Sequence, residues 1–125
     1  MRQLGQLEAA VMGRLWASDR PVAVRGVLED LRKERAIAYT TVMTVLDNLH
    51  RKGMVTREKA GRAYRYRPVH TRAQYTAALM EQVLAGSGDR GAALMHFVEQ
   101  MPLEEIRRLR QALDGFEPGA AGETR

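Results

Sequence analysis

Ala38-Tyr39-Thr40-Thr41-Val42-Met43-Thr44-Val45-Leu46-Asp47-Asn48-Leu49-His50-Arg51-Lys52 is the run that decides the fold. Wound at about 100° per residue, it places Val42, Val45, Leu46 and Leu49 on one narrow stripe. Thr40, Thr44 and Arg51 fall opposite, flanked by Thr41, Met43 and Asn48. One face is therefore core. The other carries short hydroxyls near the helix start and positive charge near its end. A helix lying in a DNA major groove needs this arrangement, with short polar groups at base edges and cations at phosphate.

Upstream, Leu4, Leu7, Val11, Leu15 and Trp16 recur at helical spacing and predict a helix over residues 5–17. Ser18-Asp19-Arg20-Pro21 breaks it. Val22-Ala23-Val24 has the makings of a very short strand. Val24, Val27, Leu28 and Leu31 mark a second helix that ends in Arg32-Lys33-Glu34-Arg35. Downstream, Gly53 closes the third helix, since glycine accepts the left-handed conformation found just past helix ends. The period then changes. Met54–Lys59 and Arg62–Pro68 flank Ala60-Gly61 and read as a β-hairpin. Tyr64 and Tyr66 share one face, expected against the helices, with Arg65 and Arg67 outward. Helix, short strand, helix, helix, hairpin is the order of a winged helix-turn-helix, assigned to residues 1–70.

Beyond it, Thr71-Arg72-Ala73-Gln74 is a capping box that opens a helix with Tyr75, Leu79, Met80, Val83 and Leu84 inward. Gly86-Ser87-Gly88 ends it. Ala92–Met101 forms the next helix, and Pro102 opens a last one with Glu104 and Glu105 in its first turn, where the helix dipole favours anions. The fold class is thus mainly α, a winged helix-turn-helix followed by a three-helix C-terminal dimerisation region at 71–116. Residues 117–125 are expected to form a disordered tail. About 45 residues in three short helices fall below the ~70–80 at which one core is self-sufficient. Their apolar stripes call for a second copy of the chain, and a homodimer presents two recognition helices to a DNA site with dyad symmetry.

The charge distribution agrees. Residues 1–70 hold 14 Lys/Arg and 7 Asp/Glu, a net +7, whereas residues 71–125 hold 6 and 8, a net −2. A basic first part suits a polyanion and a mildly acidic second part suits another task. Cysteine is absent, which excludes disulfides, thiolate zinc sites and cysteine nucleophiles. No apolar run approaches the ~20 residues of a membrane span, and the N-terminus lacks the apolar core of a signal peptide. The expectation is a cytoplasmic protein without membrane insertion. His50, His70 and His96 share no ligand spacing, so neither metal nor cofactor is expected. No phosphate loop, Gly-x-Ser-x-Gly or His-Glu-x-x-His occurs, so no catalytic residue is assigned and the chain is not read as an enzyme.

Ala38–Leu46, Leu49, Arg51-Lys52-Gly53, Gly61-Arg62 and Tyr66-Arg67-Pro68, together with Leu7-Glu8, Trp16 and Val22–Val27, resemble the penicillinase repressor family over residues 4–113. The resemblance implies a dimeric winged-helix transcriptional repressor. It implies base contacts from Thr40, Thr41 and Thr44 and DNA backbone contacts from Arg51, Lys52 and Arg62. It also implies an operator with inverted TACA/TGTA elements. Threonine suits such a site, because its methyl packs on a thymine methyl while its hydroxyl donates or accepts. In the family's antibiotic-responsive branch a membrane sensor-protease pathway leads to cleavage of the repressor. The matching bond here is His96-Phe97, where the family has Asn-Phe. The family often has Ser-Pro where this chain has Ala38-Tyr39, and alanine is a poor helix cap. The copper-responsive branch uses a C-terminal cysteine cluster, which this chain lacks.

Each of these readings has a plainer counterpart. The threonines can form a solvated face, although threonine disfavours helix. Arg57, Lys59, Arg62, Arg65 and Arg67 can merely solubilise a hairpin edge; their density favours phosphate. Lys33 and Arg35 stand evenly between surface and phosphate. Asp47 either pairs with Arg51 at i, i+4 or reads a cytosine amino group, and the pair is the favoured reading. Trp16 is expected in the core. Two alternatives to the operator-binding homodimer are a small-molecule-sensing winged-helix repressor and a winged helix used as a protein–protein interaction module.

Overall fold

The computed structural model describes residues 4–117 of the 125. Nine elements follow in order among the described residues: α1 (Gln6–Ala17), β1 (Val22–Ala23), α2 (Val24–Arg32), α3 (Tyr39–Arg51), β2 (Val55–Ala60), β3 (Ala63–Pro68), α4 (Arg72–Ala85), α5 (Arg90–Glu99) and α6 (Leu103–Asp114). The expected winged helix-turn-helix is present element for element. Most of the expected tail, from residue 118 onward, lies outside the described residues.

Among the described residues, 4–82 form one compact unit. Its core gathers Val11, Met12 and Leu15 of α1, Val24, Val27, Leu28 and Leu31 of α2, and Val42, Val45, Leu46 and Leu49 of α3. For α2 and α3 those are the apolar stripes read from spacing, and they meet because each helix has one such stripe to bury. In α1 Met12, which that spacing does not include, is fully buried, while Leu4, Leu7 and Trp16, expected in the stripe, are only half-buried against the core. Truncating a fully buried leucine such as Leu46 or Leu49 to alanine costs about 2–5 kcal/mol. Arg32 Nε donates to the Ile37 carbonyl at 3.1 Å and so ties the end of α2 to the turn that leads into α3.

Gly53 ends α3 with φ +79°, and Met54 N–H returns to the Leu49 carbonyl at 2.9 Å. A side chain is strained in that conformation, so glycine sets where the wing departs. The three-stranded antiparallel sheet has the order β1-β3-β2. Ala60 pairs with Ala63 across a two-residue turn in which Gly61, at φ +66°, is the only residue with positive φ. That is the II′ pattern, which requires glycine first and so leaves Arg62 at the tip. Tyr66 is buried as expected. Tyr64 is not packed on the helices: it is 38% exposed and lies under Arg57. Equal strand parity does not give equal depth, because the wing reaches past the helices towards its tip.

The Thr71–Gln74 capping box forms with both reciprocal bonds, at 2.8 and 3.0 Å. Tyr75 is buried, Leu79 packs on the core, and the Tyr75 hydroxyl accepts from Leu4 N–H at 3.1 Å. Trp16 Nε1 donates to the His70 carbonyl at 2.8 Å, with the Tyr75 ring 5.6 Å and the Arg72 guanidinium 5.2 Å away. The first half of α4 thereby belongs to the winged-helix body. The division of the chain falls after Gln82, inside α4, rather than after residue 70.

The second unit, from Val83 onward, contains α5 and α6. Asp89 caps α5 by accepting from Ala92 N–H at 3.0 Å. None of its described residues is buried. Met80, at the end of the first unit, and Val83 were expected to face inward; both are exposed, Val83 at 73%. Met95, Phe97, Leu103 and Leu113 are likewise open to solvent. Apolar side chains at helical spacing cannot be covered by so short a segment alone. Among the described residues, no helix is long and apolar enough to cross a membrane.

Candidate nucleic-acid interface

The outward face of α3 carries Thr40, Thr41 and Thr44, all exposed, with Tyr39 and Met43 beside them. The buried stripe behind fixes its rotation, so these groups project together from one rigid element. Ala38 stands at the N-cap and supplies no side-chain bond. The first two helical N–H groups, of Tyr39 and Thr40, therefore remain available at the positive end of the helix dipole. The weak cap read from sequence is real, and the helix still begins at Tyr39.

Thr44 Oγ1 donates to the Thr40 carbonyl at 2.9 Å. Its proton is committed within the helix. What it presents outward is a hydroxyl acceptor and a methyl group. Nothing in the sequence spacing alone assigned these roles. On α2, the Arg25 guanidinium lies 5.8 Å from the centre of the Tyr39 ring and brings a cation to the start of α3. Sequence reasoning missed Arg25, because only the crossing of α2 and α3 places it there.

At the other end of α3, Arg51 bonds to Asn48 and approaches Asp47 at 3.5 Å, which confirms the i, i+4 pair. Asp47 also receives Arg57 from β2 at 3.4 Å. Arg57 stacks 4.2 Å above the Tyr64 ring. A hydrogen bond to Tyr66 pushes the Arg57 pKa further above its ordinary value, at which an arginine is already a full cation. One carboxylate thus sits between an arginine of α3 and an arginine of the wing.

Lys52 stands apart. Its ammonium is 2.6 Å from Glu8 Oε2 on α1, and the Glu8 side chain is largely shielded. The pair joins the end of α3 to the start of α1. Arg62, by contrast, is exposed at the wing tip with no ion pair or hydrogen bond among the described residues. Arg65 and Arg67 are exposed on the sheet face opposite Tyr64 and Tyr66. Lys33 pairs with Asp30 at 3.5 Å, and Glu34 with Arg14 at 3.4 Å. The structure therefore groups the three threonines on one face of α3, leaves Arg62 open, encloses Arg51 in a local network and commits Lys52 elsewhere.

His96 and Phe97 lie within α5, both exposed, with His96 Nδ1 3.2 Å from Glu99. The bond between them lies inside a helical turn of α5. No group of three His, Cys, Asp or Glu able to hold a metal occurs among the described residues.

Comparison with known proteins agrees with the fold. The sequence profile described as penicillinase repressor matches residues 4–115. Transcriptional regulator BlaI of Mycobacterium tuberculosis, in the CDC 1551 / Oshkosh and H37Rv strains alike, is 48% identical over 122 residues. That alignment covers 95% of this chain and 88% of the relative. Among solved structures, the DNA-binding domain of the repressor BlaI superposes with a TM-score of 0.52 at 27% identity, covering 58% of this chain and 88% of that domain. A MarR family protein from Bacillus stearothermophilus gives a TM-score of 0.50 at 17% identity, over 90% of this chain and 72% of its own, and so shares the fold.

Proposed function

Because the chain belongs to the penicillinase repressor family, we propose that it is a DNA-binding transcriptional repressor that acts as a homodimer on a dyad-symmetric operator with TACA/TGTA-like arms. The observation that carries this is the α3 face: Thr40, Thr41 and Thr44 exposed together on a helix whose opposite stripe is locked into the core. These threonines contact base edges. Arg51 and Arg62 contact phosphates on either side. Lys52 joins them only where a phosphate displaces Glu8. The protein is a regulator rather than an enzyme, in keeping with its family.

The dimer is formed through the second unit. The exposed Val83, Met95, Phe97, Leu103 and Leu113 support this, since a second copy supplies the burial that the isolated helices lack. Repression takes place in the cytoplasm and ends when a membrane sensor-protease pathway, or another signal, leads to cleavage at His96-Phe97. One observation favours a second reading, control by a small ligand. A solvent-open cleft of about 590 Å³ lies between the end of α1 and the β3–α4 link, lined by Trp16, Val69, His70 and Arg72.

The test is enrichment of genomic fragments on the purified protein, followed by titration of the recovered sites across a salt series. A palindrome bound by two protomers is expected. Failure to enrich any sequence, with binding that disappears in moderate salt, would leave only non-specific electrostatics and refute the operator reading.

A further inference from the structure

We infer that Asp47 is a specificity device: an internal counter-anion that holds Arg51 and Arg57 away from phosphate until the operator is correctly seated. This rests on the DNA-binding role proposed above and assigns to one residue the control of non-specific affinity.

Three observations support it. Asp47 lies on the exposed face of α3, one turn beyond Thr44, where a carboxylate repels the DNA backbone. It is nevertheless flanked by two guanidiniums, from Arg51 at 3.5 Å on its own helix and from Arg57 at 3.4 Å on the wing. Both arginines are also held from a second side, Arg51 by Asn48 and Arg57 by the Tyr64 ring. A hydroxyl or amide at position 47 would leave two cations beside the groove with no competing charge.

The strength of the arrangement suits a competitor. Asp47 is about half exposed and Arg51 more so, so their pair adds little to stability, while Arg57 is about a quarter exposed. A correctly placed phosphate displaces such a carboxylate readily. A phosphate that is poorly placed gains less than it must displace. Since non-specific binding is almost wholly electrostatic, one anion that withholds two cations lowers it more than it lowers operator binding, which also draws on base contacts. Because Asp47 bridges α3 and β2, its release also unlatches the wing from the recognition helix.

The experiment compares the full-length protein with its Asp47→Asn variant on an enriched operator fragment and on a duplex of the same length and scrambled sequence, across a salt series. The Asp47→Asn variant is expected to bind the scrambled duplex several-fold more tightly at low salt. Its log–log salt slope on that duplex should steepen by about one to two units, ~0.9 for each phosphate newly neutralised. The ratio of operator to scrambled affinity should fall. Asp47→Glu should restore the original slope, and Arg51→Gln placed on Asp47→Asn should remove about one unit of the steepening. An unchanged slope and affinity on scrambled DNA would overturn the inference. So would a loss of operator affinity with scrambled binding unchanged, which would mean that Asp47 reads a base. Absence of any operator preference in the unmodified protein would instead overturn the repressor reading, and is told apart because the scrambled-duplex slope is read in either case.

Discussion

Lys52 Nζ and Glu8 Oε2 meet at 2.6 Å although 44 positions separate them. The contact fastens the last turn of α3 to the first turn of α1, and Glu8 also accepts from Gly5 N–H at 3.3 Å. Lys52→Ala should therefore act mainly on the fold. After allowance for solvent screening at a partly exposed ammonium, the expected loss is about 0.5 kcal/mol by urea denaturation. Its salt slope on DNA should change by well under one unit. A change of a full unit would show that Lys52 leaves Glu8 for phosphate in the complex.

Arg62 gives the opposite expectation. It occupies the turn position after Gly61 and has no partner to leave behind among the described residues. Arg62→Ala should keep the melting temperature, weaken operator and scrambled duplexes alike, and flatten the salt slope by about one unit. A loss confined to the operator would count against a phosphate contact.

At Thr44 the internal bond to the Thr40 carbonyl separates two contributions. Thr44→Val keeps a methyl and removes the oxygen, whereas Thr44→Ala removes both. If the methyl meets a thymine, the valine variant should retain most of the discrimination. The alanine variant should lose about 1–3 kcal/mol of it in competition against single-base operator variants. Equal losses would assign the contact to the hydroxyl as acceptor.

The boundary inside α4 is open to direct trial. A fragment ending at Gln82 keeps Tyr75 and Leu79 on the core, and one ending at His70 removes both. Loss of a buried aromatic side chain costs about 3–5 kcal/mol, so the shorter fragment should unfold at markedly lower urea. Both fragments should sediment as monomers. A dimer of the fragment ending at Gln82 would place the homodimer contact in the winged-helix unit.

The helices, and the buried faces of α2 and α3, were legible because spacing determines which side chains share a stripe, and a stripe must be covered. Val42, Val45, Leu46 and Leu49 lie where their period puts them. The wing was legible from Ala60-Gly61 and the change of period, and the capping box from Thr71 and Gln74. Pairs far apart in sequence were not. Nothing in a periodic reading connects Glu8 with Lys52, Arg25 with Tyr39, or Arg57 with Asp47, because these depend on how elements cross. Tyr64 shows the limit within one strand: alternation gave its face and not its depth. The Asp47–Arg51 pair was foreseen because it is local, and the third member of that group was not because it is on the wing.

Trp16 is the only tryptophan in the chain. Its indole donates to the carbonyl of His70, the last residue before the capping box, with Arg72 on one side and Tyr75 on another. Indole emission responds to just these influences, a hydrogen bond, a nearby cation and a neighbouring ring. Any shift of the β3–α4 link on DNA binding would alter its colour or intensity. The protein thus carries its own optical gauge at the link between the wing and α4, readable without a label.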